Sequence, residues 1–117
     1  MLEEKARELG RLIGQSPEYQ SVKTTSESLN GDKDAVAALR RMEELRIEAQ
    51  RMIERGEAPL PAMETELDQL LGKVQANITY QRAVSAQENF DKTMLRVNEW
   101  ILDGIKRGAE SRIITLG

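Results

Sequence analysis

The 117-residue sequence contains no cysteine and no histidine. Without cysteine there is no disulfide framework, thiolate metal site, iron–sulfur ligation or thiol nucleophile. Without histidine there is no Ser-His-Asp triad, His-containing zinc site, haem ligand or Glu-x-x-His di-iron motif. Aromatic residues are nearly as scarce: Tyr19, Tyr80, Phe90 and Trp100 are all of them. Sheets favour aromatic and β-branched residues, so a core left to Leu, Ile, Val, Met and Ala suits packed helices. Apolar runs are short. The longest, Ala35 to Leu39, is far below the ~20 residues that cross a bilayer, so no membrane insertion is expected. The start, MLEEKAREL, alternates charge with apolar residues and has no secretory h-region; the chain reads as cytoplasmic. Excess positive charge is also missing. Twenty acidic residues against 17 basic give a net charge of −3, which argues against the broad basic face of non-specific nucleic-acid binding.

What is present is helical periodicity with clear punctuation. A first helix is predicted from about Leu2 to Gly14, with Leu2, Ala6, Leu9, Leu12 and Ile13 at helical spacing. Ser16-Pro17-Glu18 starts a second: a capping serine, a proline suited to the first turn and an acid at the positive end of the dipole. Tyr19, Val22, Ser26 and Leu29 mark its inner face, and its hydroxyl-rich middle, SVKTTSES, makes it the loosest helix. Asn30-Gly31 reads as a stop, with Gly31 suited to a left-handed position. Asp32 caps a third helix that ends at Gly56. Its stripe of Ala35, Ala38/Leu39, Met42, Leu45, Ala49 and Met52/Ile53 repeats every seven residues, like a coiled-coil seam. Its charges, with pairs such as Glu43/Arg46 and Glu48/Arg51, read as a solvated face. The turn GEAPLP (56–61) sends a fourth helix back along the third as an antiparallel neighbour. That helix carries Met63, Leu67, Leu70/Leu71 and Val74. Asn77 suits a cap for a last helix running to about Arg107, although helices four and five can also be read as one bent rod.

The last helix is the most informative. Ala83, Ala86, Phe90, Met94, Val97, Ile101 and Ile105 form one stripe within about 50° of its mean direction. Val84, Leu95 and Leu102 form a thinner second row, and Trp100 sits on the flank. A helix apolar on two sides is packed on two sides. Thirty residues span about 45 Å, longer than a compact globule of this size, near 35 Å across. The rod overhangs its own domain, and a second copy is the natural cover; the competing reading is a monomer with three scattered exposed residues. The expected fold is therefore all-α: an elongated antiparallel bundle of about five helices, with long third and last helices, forming a homodimer. It is one domain, divided into two short N-terminal helices (1–31), a helical hairpin (32–76), a long C-terminal helix (77–107) and a tail (108–117). The expected interface residues are Leu39, Met42, Leu45, Val84, Phe90, Leu95, Trp100 and Leu102.

Chemical readings are weak by comparison. Glu43/Glu44, Glu64/Glu66 and Glu88/Asp91 are carboxylate pairs, but acid–base work needs a pKa displaced by burial or a neighbour, and these fall on polar faces. NGDKD (30–34) lacks the twelve-residue spacing and closing Glu of a calcium loop. LGRLIG (9–14) is not a phosphate loop, since no Lys-Ser/Thr follows it. Lys106, Arg107 and Arg112 suggest a phosphate site, or merely complement a helix C-terminus. No catalytic residue, metal or cofactor is expected.

SPEYQSVK, LNGDKDA, the polar run LRRMEELRIEAQ, the GE turn and the series Asn77…Tyr80…Ala83…Ala86-Gln87-Glu88-Asn89-Phe90…Val97…Ile101 together resemble the YlbF/YmcA family of small helical bacterial proteins, over about residues 2–107. The resemblance implies an all-α, dimer-forming cytoplasmic protein without enzymatic activity. It further implies a regulatory role in competence, sporulation or biofilm formation, in some relatives through complexes that assist the membrane-tethered endoribonuclease Y. Certain relatives carry a cysteine-bearing tail linked to an iron–sulfur cluster, which this chain lacks. The expectation is a non-catalytic adaptor acting through protein partners of unknown identity. The alternatives are a nucleic-acid-binding helical protein using Arg40, Arg41, Arg51 and Arg55, and an enzyme using carboxylates and a bound metal.

Overall fold

The computed structural model describes residues 1–116, with side chains described as far as Glu110. Five helices follow one another: α1 (Leu2–Gly14), α2 (Pro17–Asn30), α3 (Lys33–Glu54), α4 (Pro61–Gln75) and α5 (Ile78–Leu116). Three of the junctions are built alike. The last residue before the break stays in the right-handed region: Gln15, Gly31 and Ala76 have φ of −90°, −85° and −80°. One capping residue then restarts the chain. The Ser16 hydroxyl accepts from the Tyr19 N–H at 3.2 Å, Asp32 Oδ1 from the Ala35 N–H at 3.1 Å, and Asn77 Oδ1 from the Tyr80 N–H at 2.9 Å. Each cap satisfies an amide that the new helix cannot. Asn77 thus makes α4 and α5 separate helices.

Gly31 is a correction. It does not take the left-handed conformation expected of it, because this junction needs only the right-handed geometry that Gln15 and Ala76 reach with a side chain. The left-handed glycine is Gly56, at φ 79°. Its N–H donates to the Ile53 carbonyl, and the Glu57 N–H donates to the Met52 carbonyl at 2.8 Å. These are the two bonds of a Schellman cap, and they end α3 before the 56–61 turn. The end of α5 is a second correction. The helix continues through Leu116, past the Arg107 expected, because Gly104 and Gly108 weaken a helix by about 1 kcal/mol each without stopping it. The tail residues Ile113, Ile114 and Leu116, and the basic Arg112, fall outside the described side chains.

Packing divides the helices into two pairs. α2 lies along the first half of α5, and α3 packs on α4. In the α3/α4 pair, numbers fall on α4 as they rise on α3: Arg41 meets Glu66, while Ile53 and Met63 share a groove. Ala35, Ala38, Leu45, Met52 and Val74 are its buried residues, so the heptad seam of α3 is the seam it packs on. In the α2/α5 pair, Ala86 and Val97 are buried, and the Tyr19 and Phe90 rings meet edge to face at 5.3 Å. The inner face of α2 includes Thr25 and not Ser26, which is exposed. Thr25 is half-buried and turns its hydroxyl back to the Ser21 carbonyl at 2.7 Å. Weak propensity does not leave α2 unpacked, since tertiary contact supplies most helical stability in proteins.

The result is elongated. The radius of gyration is 21.9 Å and the extents are 70 × 37 × 21 Å, against roughly 13 Å for a compact chain of this length. At 1.5 Å per residue the 39 residues of α5 account for about 58 Å of that.

Candidate docking surfaces

Two features place the functional surfaces. The first is the waist where the helix pairs meet. Asp32, while capping α3, also accepts at 3.0 Å from Nδ2 of Asn77, the cap of α5. Two starting helices, 45 residues apart in sequence, are thereby tied through one Asp–Asn contact. These hydrogen bonds hold the Asp32 carboxyl below its ordinary value, the Asn77 bond first and the Ala35 amide second. The second feature is the Arg41 fork. Its Nε and Nη2 grip the two carboxylate oxygens of Glu66 at 2.6 and 3.0 Å, and Nη1 reaches Glu44 at 3.3 Å. This bidentate bond lowers the Glu66 pKa and raises that of Arg41; such planar pairing fixes register as well as energy. On α3 itself Arg46 holds Glu43, whose pKa is lowered in the same way.

These bonds work against acid catalysis by Glu43 and Glu66. A general acid needs a pKa pushed up toward neutrality, whereas Glu43 and Glu66 are pushed down by their arginines. Among the described residues no three acidic side chains converge on a metal-sized site. The arginines of α3 are interleaved with acids: Arg41, Arg51 and Arg55 line one depression together with Glu44 and Glu48, and Arg55 pairs with Glu57 at 3.4 Å. The expected Glu48/Arg51 pair does not form, since the ion pairs of α3 go to Glu43, Glu44 and Glu66 instead. On α5 Gln87 donates to Asp91 at 2.9 Å.

Of the exposed apolar surface, two stretches hold most of the candidate interface residues. Beside the α3/α4 contact runs an open groove of about 520 Å³, lined by Leu39, Met42, Leu45, Ala49, Ile53, Met63 and Leu67, with Glu43, Arg46, Gln50 and Glu64 also bordering it. Leu45 is 3% exposed and forms the floor; Leu39 and Met42 are half-buried. Far along α5, Leu95, Trp100, Ile101, Leu102 and Ile105 are all exposed, Trp100 by 67% and Leu102 by 64%. The candidate interface residues therefore separate into clusters. Leu39, Met42 and Leu45 sit together in the groove. Leu95, Trp100 and Leu102 stand on the far half of α5. Val84 borders a third depression with Leu71 and Tyr80, and Phe90 is engaged by Tyr19. The Arg41–Glu66 and Asp32–Asn77 contacts have no local sequence signal, because their partners are 25 and 45 residues apart. Periodicity sees only neighbours three and four apart. No described helix is long and apolar enough to cross a membrane.

Comparison with known proteins places this helical chain among relatives. The family profile described as control of competence regulator ComK, YlbF/YmcA, matches residues 2–106. A UPF0342 protein of Streptococcus mutans serotype c is 30% identical over 83 residues, which cover 71% of this chain and 74% of the relative.

Proposed function

We propose, since this chain belongs to the YlbF/YmcA family of competence-control proteins, that it is a non-catalytic adaptor of the cytoplasm. It is a single helical unit with an antiparallel α3/α4 hairpin, it works as a homodimer, and it regulates by docking on another protein. Its place among developmental or RNA-processing regulators follows from the family and carries no catalytic residue with it. One observation supports docking over chemistry: five large apolar side chains stand in solvent along the far half of α5, while the carboxylates best placed to react are tied to arginines. Isolated exposed apolar residues are ordinary; five concentrated on the far half of one rod mark an interaction site.

Trp100 is the proposed anchor for the protein partner. Tryptophan is enriched among residues whose truncation costs at least 2 kcal/mol of binding, and here it projects from a helix without covering anything of its own. Affinity purification under native conditions compares the wild type with Trp100→Ala. A partner retained by the wild type and lost at least tenfold by the variant, at unchanged helicity, is expected. Recovery of the same proteins by both, or of none by either, removes the reading.

A further inference from the structure

Resting on that homodimer, we propose that the two copies exchange rods: the far half of α5 of one copy seats in the α3/α4 groove of the other, and the reverse. The groove needs an apolar helix. It follows α3 from Leu39 to Ile53, about 21 Å at 1.5 Å per residue. The far half of α5 offers one of fitting length, since Leu95 to Ile105 spans about 15 Å. Leu95, Ile101, Leu102 and Ile105 lie within an arc of about 120° at 100° per residue, the face that a helix lays into a groove. All four are 44–64% exposed.

The chain cannot satisfy both surfaces alone. α5 packs on α2, and α3 packs on α4, while α3 and α5 form no layer with each other. A second copy brings the missing half of each contact, and a two-fold axis makes the exchange reciprocal and closed. The area is sufficient. Four side chains at roughly 100 Å² each, with the smaller groove surface they cover and doubled by symmetry, give roughly 1,100 Å² in total, just above the roughly 1,000 Å² that a specific interface needs. The rims are compatible in charge. Glu64 borders the groove and Lys106 flanks the seam on α5, and neither forms an ion pair among the described residues. Trp100 lies on the opposite side of α5 from this seam, so the exchange leaves it free for the protein partner.

The absence of native cysteine makes the test clean, because any disulfide comes from introduced residues. Ala49→Cys marks the groove and Leu102→Cys marks the rod. Under mild oxidation the double variant is expected to form at least tenfold more covalent dimer than either single variant, at unchanged helicity. Leu102→Asp is expected to weaken the dimer at least tenfold in sedimentation, and Trp100→Asp to leave it unchanged. Should the protein sediment at twice 13.2 kDa while Leu102→Cys or Ala49→Cys links to itself, or while the double variant fails to link, the exchange is wrong and the homodimer stands. A species of 13.2 kDa alone at micromolar concentration overturns both.

Discussion

The α3/α4 pair and the far half of α5 are both helical, both rich in Leu, Ile and charge, and yet opposite in state. In the first, the centre of the apolar seam is covered: Leu45, Met52 and Val74 are buried, a Schellman cap closes the turn, and Arg41 rivets one helix to the other. In the second, the same kinds of residue at the same spacing stand in solvent. Helical patterning specifies that a face is apolar. Only the presence of a partner at that point in space makes it a core. α3 finds its partner in the next helix of its own chain, after a turn of six residues. The far half of α5 extends beyond α2, whose 14 residues end about 20 Å from their start.

The sharpest way to break this comparison is to truncate one leucine in each region. Leu45→Ala is expected to cost about 2–5 kcal/mol, the range for a buried leucine with incomplete collapse of the cavity, and to lower the thermal midpoint even in dilute solution. Leu102→Ala is expected to change only the concentration-dependent part of the midpoint, since association stabilises by mass action. Melting curves at two concentrations a hundredfold apart decide it. If Leu102→Ala is as damaging as Leu45→Ala in dilute solution, the far half of α5 is core after all.

A smaller effect belongs to the turn that creates the covered pair. Gly56 sits at φ 79° with open space where a side chain would project, so Gly56→Ala tests backbone strain without a clash. The expected loss is about 1–2 kcal/mol, the cost of a left-handed non-glycine residue, read from urea denaturation. Gly31→Ala, at φ −85°, is expected to be neutral or slightly stabilising.

The smallest effect is the pH dependence of the waist. Asp32 has its pKa lowered by the Asn77 and Ala35 bonds, so the folded state favours the carboxylate. Its contribution is therefore present above the ordinary carboxyl value of 3.8 and lost as pH falls through the lower, folded value. Glu43 and Glu66 are lowered as well, which places the acid-sensitive groups on α3 and α4. Thermal melts between pH 7 and pH 2 are expected to show falling stability below about pH 4. Asp32→Asn keeps a competent cap and is expected to flatten part of that fall. An unchanged acid profile in this variant would mean that the Asp32–Asn77 contact does not contribute.

Much of the helix plan was legible in the sequence because its causes are local. Ser16, Asp32 and Asn77 cap because their oxygens reach amides three residues ahead, and the order of residues alone fixes that reach. The seam of α3 is readable because its period matches the helix. Gly31 was misread for the same reason that Gly56 is informative: glycine permits a left-handed turn everywhere and only some turns require it. Gln20 and Gln81 show what escaped. Each lies four residues after a cap, and each donates across the junction to a carbonyl of the preceding helix, Gly14 at 2.8 Å and Gln75 at 2.7 Å. Such bonds depend on the angle between two helices, which no spacing encodes.

Composition and local order by themselves determined that the chain is helical, where its helices start, which faces are apolar, and that histidine and cysteine chemistry has no place in it. The tertiary structure alone decided which apolar faces are shared between helices and which are left in solvent, which arginine claims which glutamate, and that the waist rests on Asp32 and Asn77. The reason is range. Capping and periodicity act over three or four residues, whereas burial depends on what lies across a contact, and that is set only when residues 25 or 45 apart in sequence meet.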